Sequence, residues 1–187
     1  MLIVKTLIAV LIFGGFMQEQ VFFQNNFNKY LSLSYTDFDQ KPKSGWRSLA
    51  ELEKYDEAAK SILFYIQNKQ HLDEIQVANL YFHAGQMFAF ENNYESAIIY
   101  FKKSILASEP EHAPVGWNDY VSASIAFLKR DRETLIFHRD EIAAKGTEIQ
   151  GVIPNLAIVE NLLNHIQMPY AEVYHMQNTR VRQGISA

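Results

Sequence analysis

Residues 78–110 read ANLYFHAGQMFAFENNYESAIIYFKKSILASEP, and this stretch decides the fold. At about 100° per residue, its first half places Tyr81, Ala84, Gly85 and Phe88 on one side of a helix. Asn79, Phe82, His83, Gln86 and Phe90 fall on the other side. The polar run Glu91-Asn92-Asn93 breaks the pattern, and a second helical stretch carries Ala97, Phe101 and Ser104. The small residues Ala84, Gly85 and Ala97 let two helices approach closely, while Tyr81, Phe88 and Phe101 fill the space around them. An antiparallel helical pair is the structure these residues specify.

The same positions carry a family resemblance. Tyr81, Ala84, Gly85 and Phe88 stand where a tetratricopeptide repeat has W, L, G and Y, and Ala97, Phe101 and Ser104 stand on its second-helix A, F and A. Pro110 lies one residue beyond its closing proline. The segment therefore resembles a tetratricopeptide unit over about 34 residues. The resemblance implies an all-α stack of helical pairs whose role is binding, with peptide segments held on the inner, concave side.

Flanking copies are visible. Tyr120-Val121-Ser122-Ala123-Ser124-Ile125-Ala126-Phe127 returns the aromatic, Ala, small residue and Phe of the stretch from Tyr81 to Phe88, thirty-nine residues later. Its second helix, Asp131 to Lys145, aligns at a shift of thirty-seven, with a shorter turn, Thr134 and His138 in the places of Ala97 and Phe101, and Gly146 as a cap. Upstream, Tyr55-Asp56-Glu57-Ala58-Ala59 resembles Tyr94-Glu95-Ser96-Ala97-Ile98, which predicts a helix from Tyr55 to Lys69 with a short partner from Ser44 to Glu53. Gln20 to Ser32 forms a leading helix, Asn155 to Gln167 a closing one, and Pro169 to Met176 a short terminal one. The expected fold is all-α: a tetratricopeptide-like array of about three antiparallel helix pairs plus a C-terminal capping helix. It occupies residues 44–178, after a leading segment at 18–43 and before a tail at 179–187.

Residues 1–17, MLIVKTLIAVLIFGGFM, have one early lysine and then an uncharged apolar run too short to span a bilayer. They match a secretory signal, so a periplasmic or secreted location is expected. An uncleaved N-terminal membrane anchor and a buried apolar helix are the alternatives. No cysteine follows the run, which excludes a lipoprotein anchor.

The chain has 187 residues, no cysteine and a formal net charge of −4. Thiolate metal sites and thiol nucleophiles are excluded by that composition. The scattered Lys and Arg residues form no basic face, so nucleic acid is not an expected partner. No two histidines stand at i, i+4 and no H-E-x-x-H, Walker or G-x-S-x-G motif occurs, so neither a metal, a cofactor nor a catalytic set is expected.

The free side of the central unit supplies the binding residues. Asn79, Phe82, His83 and Gln86, with Asn118 and Ser122 from the following unit, form the expected contact set for a protein or peptide partner. An asparagine amide offers both a donor and an acceptor to a ligand backbone. The resemblance stops short of the carboxylate-clamp subfamily, because its Lys and Arg positions are not matched. Self-packing of Phe82 and Phe90 against the aromatic-rich leading segment is the competing use of this face. A rival reading takes the loop from Tyr35 to Trp46 as functional. It places Asp39, Trp46, Arg47 and His83 around a pocket for a small ligand or a substrate.

Overall fold

The computed structural model describes residues 27–109, 116–146 and 152–182. The expected signal or anchor, Pro110 and the last five residues of the tail lie outside them. The described chain is all-α. After a helical stretch at 27–31 and a π-helical turn at Thr36–Gln40 come α1 (Arg47–Ala50), α2 (Tyr55–Asn68), α3 (Glu74–Phe90) and α4 (Tyr94–Lys103). Then follow α5 (Trp117–Leu128), α6 (Arg132–Lys145), α7 (Leu156–Asn164) and α8 (Tyr170–Arg182).

Each helix packs antiparallel on its neighbours in sequence, and two contacts skip along the chain: α7 touches α5, and α8 returns to α3. The closest approach in the quoted stretch is where expected. A Cβ on Gly85 would lie 2.6 Å from the Phe101 ring and 3.1 Å from the Ala97 carbonyl. Glycine there lets α3 and α4 meet over a fully buried Phe101 and Ala97.

Helix starts follow the side-chain chemistry of the sequence. Asp73 and Gln76 form a reciprocal capping box at the head of α3. Asn93 accepts the Ser96 N–H at 3.2 Å and Asp131 accepts the Thr134 N–H at 3.1 Å, which begins α4 and α6.

The turns inside the helical pairs share one geometry. Glu53, Asn92 and Arg130 take φ of 57°, 58° and 58°. The next residue in each case, Lys54, Asn93 or Asp131, donates its N–H back to Leu49, Phe88 or Ala126. This six-residue closure satisfies orphan carbonyls at the end of the first helix. It also corrects the expected alignment of the third pair. The turn before α6 is the same length as the turn before α4, so Leu135, fully buried, occupies the place of Ala97, whereas Thr134 is exposed.

Other boundaries moved. The partner of α2 shortens to Arg47–Ala50 followed by turns, α7 ends at Asn164, and the terminal helix runs on to Arg182. Asn155 heads α7 in the left-handed region at φ 66° without a side-chain cap. Arg130 donates to the Ile166 and Met168 carbonyls and Arg132 to Leu163, so two arginines close the far end of α7.

Candidate functional site

The stretch expected as a loop is folded around Phe38. Ser34 Oγ accepts the Asp37 N–H at 3.0 Å and donates to its carboxylate at 2.8 Å, which starts the turn. The Phe38 ring then stacks on Tyr65 at 3.9 Å between centroids and 8° between planes, with Tyr30 edge-on at 5.5 Å. Gly45 locks the turn from the other side. It has φ 50°, and a Cβ there would fall 2.0 Å from the Phe38 carbonyl oxygen.

With Phe38 anchored in the core, the next residue is also drawn inside. Asp39 is fully buried. Its Oδ1 accepts from Trp46 Nε1 at 2.8 Å and pairs with His83 Nδ1 at 2.8 Å, while Gln40 Nε2 donates to Oδ2 and Arg47 Nε to the Asp39 carbonyl. Burial pushes the Asp39 carboxyl up. The charge and hydrogen bond of His83, the Trp46 donor and the Arg47 charge outweigh it and hold the group below the ordinary aspartate value. A carboxylate in that state is an acceptor, so His83 Nδ1 is the donor of the bond between them. Burial, and then the Asp39 charge, raise the nearby Tyr35 phenol, to which Asn79 and Gln40 donate at 3.4 and 3.2 Å.

Beside this cluster opens a cleft of about 530 Å³. One wall is Trp46, Arg47, Ala50 and Glu51, the floor includes His83, Gln86 and Met87, and the far wall is Phe90 with Tyr174 and His175 of α8. The Arg47 guanidinium stacks over the Trp46 ring at 4.4 Å and makes no ion pair among the described residues. No Ser, Thr or Lys among the described residues lines the cleft. Among the described residues, no group of three or more His, Asp or Glu is arranged to hold a metal ion.

The four residues of the rival pocket, Asp39, Trp46, Arg47 and His83, therefore stand together. The six of the expected partner face are dispersed among different tasks. Phe82 is in the core, 4.9 Å from the Phe101 and Tyr120 rings and 5.2 Å from Trp117. Asn118 uses both ends of its amide on the chain itself, accepting the Leu106 N–H and donating to the Leu106 carbonyl at 2.9 Å each. That is the backbone clamp anticipated for a ligand, applied to the α4–α5 connection. Asn79 donates to Tyr35 and Ser122 is half-buried on α5. Only His83 and Gln86 line the cleft.

The face carrying Gln86 and Phe90 is covered by α8, the expected terminal helix, in a contact that no local pattern announces. Gln86 Nε2 donates to Tyr170 Oη at 3.4 Å, and Tyr170 packs on Phe90, Phe101 and Phe127. The Tyr170 N–H is in turn donated to Tyr94 Oη at 3.2 Å. Burial pushes the Tyr120 and Tyr170 phenols well up, so both stay neutral core groups. Residues 27–40, the other candidate for covering this face, pack on α2 through Phe27 and Phe38 and reach Asn79 and His83 on α3 through Tyr35 and Asp39.

Comparison with family models, with curated proteins and with solved structures gives no match for this chain, so its function has to be argued from the cleft itself.

Proposed function

We propose that this protein is a tetratricopeptide-like helical-pair array that binds a small ligand, without turning it over, in the cleft between α1, α3 and α8. One observation carries the reading: Trp46, Arg47 and His83, drawn from two distant parts of the chain, line a single cavity of about 530 Å³, with the buried Asp39 carboxylate bonded to Trp46 and His83 behind its wall. That volume is within the range of small-molecule sites, and the wall mixes aromatic faces with a few fixed polar groups, as such sites do. The buried carboxylate orients His83 and supports Trp46, which preorganises the wall before a ligand arrives.

Binding rather than catalysis is favoured because, among the described residues, the wall offers a histidine oriented by a buried carboxylate but neither an aliphatic hydroxyl nor an amine beside it. A polypeptide partner is the second reading. His83 and Gln86 of its six expected residues line the cleft, so a peptide segment would enter the same cavity.

The test is a ligand-observed NMR screen of small molecules against the wild type and Ala50→Trp, which plugs the cleft from α1. Compounds that bind the wild type and not the variant support the reading; a screen in which no compound distinguishes the two refutes it. The array assignment rests on the recurring turns at Glu53, Asn92 and Arg130. An experimental structure in which successive pairs are not related by a constant rotation would remove it. Export is proposed from residues 1–17, and mass spectrometry finding Met1 intact on a protein retained inside the cell would count against it.

A further inference from the structure

Arg47 and Glu51 stand one helical turn apart, since the Glu51 N–H bonds the Arg47 carbonyl at 2.9 Å, and both line the cleft. Oppositely charged residues at this spacing commonly pair across the turn. Here they do not. Arg47 is held back by its stack on Trp46 and by its Nε bond to the Asp39 carbonyl, and Glu51 makes no ion pair among the described residues. A cation and an anion thus face one cavity about a helical turn apart, each without the other as counter-ion. Beyond them the wall turns apolar: Tyr55, Met87, Phe90 and Tyr174.

We propose that the cleft takes a zwitterion, an α-amino acid with an aromatic or large apolar side chain. Its carboxylate lies on the Arg47 guanidinium, its ammonium on Glu51, and its side chain among Tyr55, Phe90 and Tyr174. The guanidinium presents a planar fork that matches a carboxylate, and its position is fixed before binding by Trp46. Gln40 and Gln86 border the cleft, and their amide oxygens can accept from the ammonium. The aromatic wall supplies apolar contact area and ring faces for the side chain. This inference rests on the cleft being the binding site, and it adds the charge pattern of the ligand.

Isothermal titration calorimetry on the full chain tests it, with phenylalanine, tyrosine and tryptophan as probes. Phenethylamine lacks the carboxylate, 3-phenylpropionate lacks the ammonium, and the tripeptide Ala-Ala-Phe keeps a C-terminal carboxylate without an adjacent ammonium. The expected result is binding of at least one aromatic amino acid. Each single-charge analogue and the tripeptide then binds about tenfold or more weaker, because each loses one charge contact. R47Q should erase the preference for phenylalanine over phenethylamine, and E51Q the preference over 3-phenylpropionate, with circular dichroism confirming that both variants fold. Absence of binding by all three amino acids at millimolar concentration overturns the proposal, as does binding of phenethylamine, 3-phenylpropionate or the tripeptide equal to that of phenylalanine. If the NMR screen still finds ligands excluded by Ala50→Trp, only the zwitterion assignment falls and the cleft stands.

Discussion

His83 on α3 reaches across 44 residues of sequence to hold the fully buried carboxylate of Asp39 through Nδ1 at 2.8 Å. The pair ties the turn ahead of α1 to the central helix, so the cleft wall and the core share one contact.

Asp39→Asn keeps the shape and removes the charge. The Asp39 carboxyl is held below its ordinary value in the folded protein, so its ionisation adds stability above about pH 4, and that stability is lost as pH falls through the folded value. Asp39→Asn should cost about 2 kcal/mol at neutral pH, the scale of a hydrogen bond to a charged group. The wild-type advantage should shrink on acidification. Urea unfolding of both proteins from neutral pH down to about pH 3 checks the sign. A gap that stays constant or widens toward acid would show that the charge contributes nothing.

Gly45→Ala should be the most damaging methyl added at any of the described glycines. The added Cβ would sit 2.0 Å from the Phe38 carbonyl oxygen, and φ 50° already disfavours a side chain. A loss of more than about 2 kcal/mol is expected, because the contact is with backbone and cannot relax by a rotamer change. Thermal melts read it. A wild-type melting temperature would mean that the Thr36–Gln40 turn is not pinned as described.

Asn118→Ala removes both amide bonds to Leu106 and leaves its N–H and carbonyl to find water. About 1–3 kcal/mol should be lost. Hydrogen exchange should quicken at Leu106 first, and Asn118→Asp, which keeps only the acceptor, should protect that amide while still destabilising. Unchanged exchange at Leu106 would remove the clamp.

Glu53→Gly tests the recurring turn. Glu53 is exposed and pays for φ 57° with a side chain, so glycine should raise stability by up to about 1 kcal/mol. A loss of similar size in chemical denaturation would mean that the left-handed conformation at this turn carries no strain worth relieving.

The central pair was legible because its small residues, Gly85 and Ala97, sit at helical spacing opposite Phe101, and contact between neighbouring helices is what such spacing encodes. The turn lengths were less so. The alignment that put Thr134 under Ala97 followed residue likeness, whereas the chain obeyed the hydrogen bond from Asp131 to Ala126, which sets Leu135 there. Of the cleft, Asp39, Trp46, Arg47 and His83 were readable as a set of reactive residue types around a long connection. The wall from α8 was not, because Tyr170 meets Gln86 across 84 residues and no local pattern announces a contact of that range. Asn118 was read as an amide able to clamp a backbone, and in the structure it bonds the Leu106 backbone.

The return of α8 to α3 also sets an order of events during synthesis. Tyr174 and His175 close the cleft after every other wall residue among the described ones has been made. A nascent chain therefore carries Trp46, Arg47 and His83 with one side of the cleft open until Tyr174 and His175 have been made. Fragments ending before Tyr170 would keep most of the described helices and lose the enclosure.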